Sequence, residues 1–137
     1  MIICACIDDG RGMSFFGKRV SKDRGQLARL LERSAGAKIY VDAYTYKLFE
    51  GLGAENVILT SDFGEAQEGD ICFFELEHIT EHIQRAEGIL LYRWNRRYPS
   101  DKKFPFEPSD KGYTLVSSYD FAGSSHEKIT EELWQKG

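Results

Sequence analysis

Apolar residues along this chain fall into short runs that alternate with stretches of helical periodicity. Residues 1–7, "MIICACI", are apolar throughout and stop at "DDGRG", a turn built on Asp and Gly, so a buried strand is expected there. Leu27, Leu30 and Leu31 then recur at helical spacing until Gly36, and Ser21 stands where an N-cap belongs, so "SKDRGQLARLL" opens an amphipathic helix. "AKIYVD" (37–42) and "ENVILTSD" (55–62) are β-rich, and "AYTYKLFEGLG" between them has the aromatic and leucine spacing of a short helix ending at glycine. "GDICFFE" (69–75) reads as another strand. In "EHITEHIQRA", Ile79 and Ile83 sit at i, i+4, the mark of a helix lying on a sheet. "GILLYRW" (88–94) is apolar enough for an inner strand. Strands alternating with helices predict an α/β fold with a largely parallel sheet covered on both faces.

The last third reads differently. "NRRYPSDKKFPFEPSDKG" (95–112) holds all three prolines and many charges, which makes it a surface connection. "YTLVSSYDF" alternates as a strand does, while "HEKITEELWQ" is helix by propensity and edge strand by context. No internal repeat, low-complexity tract or linker interrupts the pattern, and 137 residues suit a single domain, 1–137.

Composition adds exclusions. With 29% charged, 42% hydrophobic and 13% aromatic residues, the chain matches a folded globular protein. A net charge of −4 argues against duplex binding, which needs an excess of Lys and Arg on one face, so no nucleic-acid partner is expected. No apolar run approaches the roughly 20 residues that span a bilayer, and "MIICACI" lacks the basic start of a secretory signal; no membrane association and a cytoplasmic location are expected. Cys4, Cys6 and Cys72 form an odd set without paired spacing and read as core thiols.

Candidate chemistry is sparse. His78 and His82 lie one helical turn apart beside Glu77 and Glu81, but a zinc site needs a third ligand and the HExxH pattern is absent, so no metal is expected. Ser14, Ser21 and the serine pairs lack a GxSxG setting, and no P-loop or GxGxxG run follows a strand, which argues against acyl transfer and Walker-type nucleotide binding. Lys18, Arg19, Lys22, Arg24, Arg29 and Arg33 cluster around the first helix, as a solvated face or as the rim of an anion site. Asp23, in the first turn, complements the helix dipole.

The order of these pieces resembles dihydrofolate reductase over nearly the whole chain. "IICACIDDGRGM" is similar to the family's first strand and the Gly-Met opening its active-site loop. "SKDRGQLARLL" resembles its Pro-x-Asp-Leu helix start, "KIYVDAYTY" its second strand and Gly-Arg-x-Thr, and "NVILTSD" the next strand. "DICFFELEHITEHIQRAEGILLYRW" resembles its strand, glycine pair, helix and strand, and "SDKKFPFEPSDKGYTLVSSYDF", around Phe104 and Pro105, its Asp-x-x-Phe-Pro loop and penultimate strand. The resemblance implies a dihydrofolate reductase-like mixed, mostly parallel central sheet flanked by helices. One strand–helix unit is shortened or missing, because little chain separates Ser61 from Ile71. It further implies that Asp23 is the catalytic carboxylate that holds a pterin ring. Cys6, Ile7, Met13, Leu27, Leu30, Leu31 and Tyr92 then join it around the ligand, and Thr45, Thr60 and Ser61 lie on the cofactor side.

Departures from the family pattern fall on the cofactor side. Glu75-Leu76 replaces the Gly-Gly that lets backbone approach a pyrophosphate, and Asp42-Ala43 replaces the Gly-Arg of the second cofactor loop. An added carboxylate near 4 Å from a phosphate costs on the order of 4 kcal/mol at an effective dielectric of about 20. The arginine that grips the folate glutamate has no counterpart near "GLGAEN", and Gly17 to Val20 stand where the family has a loop tryptophan. The expectation is a protein that binds a pterin- or nucleobase-like small molecule through Asp23 and does not use NADPH in the ordinary way. Two other readings stand beside it. One is a working NADPH-dependent reductase with altered cofactor contacts. The other is a non-catalytic domain whose aromatic face, Tyr44, Tyr46, Trp94 and Tyr98, binds a protein partner or closes a homodimer.

Overall fold

Period-2 alternation along β1 (Ile2–Ile7) sends Ile3, Ala5 and Ile7 to one face of a sheet and Cys4 to the other, and all four are fully buried. The computed structural model in which this is seen describes residues 1–76 and 79–137. After β1 come β2 (Gly12–Phe15), β3 (Lys18–Arg19), α1 (Arg24–Arg33), β4 (Ile39–Val41), α2 (Ala43–Tyr46), β5 (Val57–Leu59) and β6 (Ile71–Phe73). The chain continues with β7 (Gly88–Arg93), β8 (Lys102–Lys103), β9 (Tyr113–Phe121) and β10 (Ile129–Lys136).

Seven strands form the main sheet in the order β5-β4-β6-β1-β7-β10-β9. The pairs among β5, β4, β6, β1 and β7 are parallel, and β10 runs antiparallel between β7 and β9. The fold is therefore mixed α/β with a mostly parallel sheet. β1 and β7 are apolar along their whole length because both their faces are covered. On one face α1 and the turn after α2 press Leu27, Leu30 and Phe49 onto Cys4, Phe73, Leu90 and Tyr92. On the other, Phe63, Ile79 and Phe104 cover Ile3, Ile7, Cys72 and Leu91. Between β5 and β6 the chain makes a single 3-10 turn, Phe63–Glu65, and no strand, which agrees with the short connection after Ser61.

Several expectations need correction. Asp23, not Ser21, caps α1: its backbone is extended and its carboxylate accepts from the Gln26 amide at 3.1 Å. The helix expected after Phe74 is replaced by two 3-10 turns, Ile79–Glu81 and Ile83–Arg85. There the His82 ring stacks on Phe74 and meets Phe63 edge-on, drawing the segment onto the sheet with i→i+3 bonds. The tail is a strand, β10, and it is internal. The short antiparallel sheet β3-β2-β8 carried no apolar signature and was not anticipated.

The cysteines pack as small apolar side chains on opposite faces, Cys4 among the α1-side cluster and Cys72 among the other. Burial pushes the Cys72 thiol up to about 12 and raises Cys4 and Cys6 as well. In the native protein at pH 8, a thiol reagent such as dithiobis-nitrobenzoate is expected to react slowly with all three and rapidly once urea unfolds the chain. A stoichiometric fast phase without urea would contradict this packing.

Candidate functional site

In a sheet of this kind the carboxyl ends of the parallel strands face the cleft where ligands bind. Four polar or aromatic residues leave those ends: Asp8 after β1, Asp42 after β4, Glu75 after β6 and Trp94 after β7. Asp8 folds the turn into β2. Its Oδ1 accepts from the Gly10 and Gly12 amides at 2.8 and 2.6 Å, and its Oδ2 accepts from the Tyr98 amide at 2.9 Å. Asp42 caps α2 by accepting from the Thr45 amide at 2.8 Å.

Glu75 is the center of the first polar cluster. Arg19 grips it in a fork, Nε to Oε2 at 2.7 Å and Nη2 to Oε1 at 3.0 Å, and the Thr45 hydroxyl donates to Oε1 at 2.9 Å. The Arg19 guanidinium also lies over the Tyr44 ring, 4.2 Å from its centroid. Burial alone would lower the Arg19 pKa, but the hydrogen bond and charge of Glu75 outweigh it and raise the value. Glu75 is thus a neutralised anion, which corrects the sequence-based picture of a bare repulsive charge.

Asp23 is the center of the second. The carboxylate is shut off from solvent and lies within hydrogen-bond distance of six donor groups, of which the Ser125 hydroxyl also reaches the Lys22 carbonyl. At Oδ1 these are the Gln26 amide (3.1 Å), the Ser124 amide (2.9 Å) and the Ser124 hydroxyl (3.2 Å). At Oδ2 they are the Ser125 amide (2.8 Å), the Ser125 hydroxyl (3.1 Å) and His126 Nδ1 (2.9 Å). A carboxylate offers about four lone-pair sites, so none remains for a heterocycle. In this structure the Asp23 oxygens meet donors of the protein itself. Burial, the largest single influence, opposes ionisation. Hydrogen bonds from His126 and from the Ser124, Ser125 and Gln26 amides outweigh it and hold the carboxyl well below the usual range.

His126, which the sequence reading passed over, completes this cluster. Its Nε2 lies 3.1 Å from Ser21 Oγ and 2.8 Å from the Tyr98 hydroxyl, and its ring stacks on Trp94 at 4.5 Å. The "GSSH" run in the β9–β10 connection, rich in donors, is the only trace of it in the sequence. Two buried side-chain nitrogens lack a partner among the described residues, Gln26 Nε2 and Trp94 Nε1.

The remaining expected ligand residues do not gather around one pocket. Ile7 and Met13 pack on the sheet face opposite α1, whereas Cys6, Leu27, Leu30, Leu31 and Tyr92 belong to the α1 side. Leu30 and Tyr92 are core residues, and the Tyr92 hydroxyl donates to Glu131 at 2.8 Å. Thr60 is a turn former, its hydroxyl donating to Glu65 and accepting from the Asp62 amide, and Ser61 is exposed. Of the four aromatic residues named for a partner surface, Tyr46 is exposed, Tyr44 lies under Arg19, Tyr98 meets His126 and Trp94 is buried. Glu77 and His78 lie outside the described residues. Among the described residues no three His, Cys, Asp or Glu side chains cluster as a metal ion requires.

An open cleft of about 510 Å³ does lie between the start of α1 and the segment after α2. Leu27, Leu48 and Leu52 line it, with Lys22, Arg24 and Lys47 also at its walls, and none of these three bases is paired with a carboxylate among the described residues. The three other arginines of the N-terminal cluster are paired, Arg19 with Glu75 as above. Arg29 and Arg33 converge on buried Glu131, at 3.0 and 2.8 Å, and pin α1 to β10.

Comparison with solved structures identifies this arrangement of strands. The chain superposes on the dihydrofolate reductase of Enterococcus faecalis, in a complex with NADP(H) and RAB-propyl, with a TM-score of 0.67. The match covers 99% of this chain and 95% of that one at 14% identity, a likeness of fold. No family model matches the sequence, and no curated protein matches it. The fold is dihydrofolate reductase-like.

The depressed value of Asp23 has a pH consequence. Its contribution to stability is complete above about pH 4, the unfolded-state value, and is lost as pH falls toward the folded-state value. Asp23→Asn is expected to cost at least about 2 kcal/mol at pH 7 in urea titrations, by leaving buried donors unmatched. The same variant should flatten the acid limb below pH 4. An unchanged urea midpoint would contradict the clasp.

Proposed function

We propose that this chain is a small-ligand binding protein on a dihydrofolate reductase-like scaffold. It takes a flat heterocycle of pterin or nucleobase type that carries an anionic end, and it does not turn over NADPH. The cleft beside α1 carries this reading: an apolar floor of Leu27, Leu48 and Leu52 suits a ring, and the unpaired Lys22, Arg24 and Lys47 suit a carboxylate or phosphate. These bases stand in for the single arginine that the resemblance leads one to seek near "GLGAEN". Asp23 supports the wall of the cleft from behind, without contacting the ligand through its oxygens.

The cofactor side supports the negative half of the proposal. The residues present do not fit a dinucleotide diphosphate. Where the resemblance expects two glycines, Glu75 is clamped by Arg19 and Thr45. A diphosphate drawn to Arg19 must break that pair and strand a buried carboxylate, a loss of roughly 3–5 kcal/mol.

Thermal melting separates the alternatives. Folic acid or pterin-6-carboxylate at about 100 times its dissociation constant should stabilise the protein by about 2.7 kcal/mol. Lys22→Glu with Lys47→Glu should abolish that shift, and NADPH should give none. A shift with NADPH alone would restore the reductase reading.

One observation favours a second reading, self-association. The edge strand β9 is exposed from Thr114 to Asp120, including Leu115, Val116 and Tyr119, and carries one charge, Asp120. Antiparallel pairing of two copies about Ser117 would set Leu115 opposite Tyr119 and Tyr113 opposite Phe121, a self-complementary match. Sedimentation at rising concentration should show a dimer that Leu115→Lys disperses. A monomer throughout would remove this reading and leave the ligand proposal untouched.

A further inference from the structure

We propose that Ser21, His126 and Asp23 form a serine-nucleophile site that accepts a small ester or activated acyl group. Ser21 precedes α1, Asp23 caps it, and His126 comes from the β9–β10 connection, so the fold assembles the three from segments about a hundred residues apart. An ionised carboxylate only accepts hydrogen bonds, so the proton of the 2.9 Å contact sits on His126 Nδ1. In the neutral ring, Nε2 then presents its lone pair to Ser21 Oγ at 3.1 Å. Both spacings fall in the range of a nucleophile, its base and the group that orients the base. Such a constellation is recognised by geometry and roles, not by residue order or a GxSxG motif.

The surroundings add what a merely structural hydrogen bond does not require. Asp23 is held by the Ser124, Ser125 and Gln26 amides and the Trp94 ring backs the imidazole, so the base has a fixed orientation. Ser21 is half-exposed while Asp23 and His126 are buried, which puts the nucleophile at the solvent side of the relay. Ser125, next to His126 in the chain, lines both the 510 Å³ cleft and a second open cleft of about 820 Å³ that Trp94 also lines, so open space lies close to the buried imidazole. The Tyr98 hydroxyl shares Nε2 at 2.8 Å. Two hydroxyls cannot both donate along one lone pair, so when Ser21 takes it, Tyr98 is released to donate to a bound carbonyl oxygen.

The chemistry closes without a further reagent. Ser21 Oγ bonds to the acyl carbon as its proton passes to Nε2 and the carbonyl electron pair moves to oxygen. Collapse expels the alcohol, which takes the proton from Nε2, and leaves a seryl ester. Water then attacks that ester, again giving its proton to Nε2. The carboxylic acid departs and the proton returns to Oγ. Ser21 and His126 are the catalytic residues here, and Asp23 is a positioning residue.

The test uses diisopropyl fluorophosphate and p-nitrophenyl acetate on the full chain. The fluorophosphate should leave one diisopropylphosphoryl adduct, with loss of fluoride, mapped by mass spectrometry to Ser21 of the wild-type protein. Ser21→Ala should lose the adduct and slow nitrophenol release about 100-fold or more, with little change in melting temperature because Ser21 is half-exposed. Above about pH 5, where the stability contribution of Asp23 no longer changes with pH, Asp23→Asn should alter the shape of the labelling-rate pH profile, which a purely structural role would leave alone. An adduct on Tyr98 or elsewhere, no adduct on the folded protein, or wild-type ester turnover by Ser21→Ala would overturn the proposal.

Discussion

A carboxylate taken out of water needs a full set of donors, and Asp23 obtains its set from both ends of the chain. That one requirement fixes the start of α1, the β9–β10 connection and the orientation of His126 together. It also explains two glycines. A side chain at Gly123 would run into Asp23 and Ile129, and one at Gly25 would meet the Gly123 Cα at 3.1 Å, so the two segments touch only because both positions lack a Cβ. Farther along α1, Arg29 and Arg33 close on Glu131 of β10, with the Tyr92 hydroxyl completing the cluster. The helix is thus fastened at both ends to β10 and its connection, and the apolar residues between, Leu27 and Leu30, set its height above the sheet.

The Arg19–Glu75–Thr45 cluster plays the corresponding part on the other side of the parallel strands. It ties β3 to the ends of β6 and α2 and fills space that a glycine pair would leave open. The open cleft beside Lys22, Arg24 and Lys47 is where the proposed ligand belongs.

Much of this was legible in the sequence, for a physical reason. β1 and β7 are covered on both faces and so appear as unbroken apolar runs, and the missing unit before β6 is visible as a simple shortage of residues. What failed to show was whatever depended on distant partners. Ser21 and Asp23 are equally good caps by composition, and only the loop at 124–126 decides between them. The segment after Phe74 has helical spacing, but His82 stacks on Phe74 and tightens it into 3-10 turns. Glu75 looked like a bare anion because Arg19, fifty-six residues earlier, carries no mark of pairing with it. His126 carried no motif at all, so the residue that joins Ser21, Asp23, Tyr98 and Trp94 was visible only in the fold.

The direct test of the clasp is the tautomer of His126. Long-range proton–nitrogen correlation NMR at neutral pH reads which ring nitrogen carries the hydrogen. The account requires a protonated Nδ1 and a bare Nε2, because Asp23 can only accept and the single Nε2 lone pair takes a hydroxyl donor. A ring protonated on Nε2 with a bare Nδ1 would contradict it.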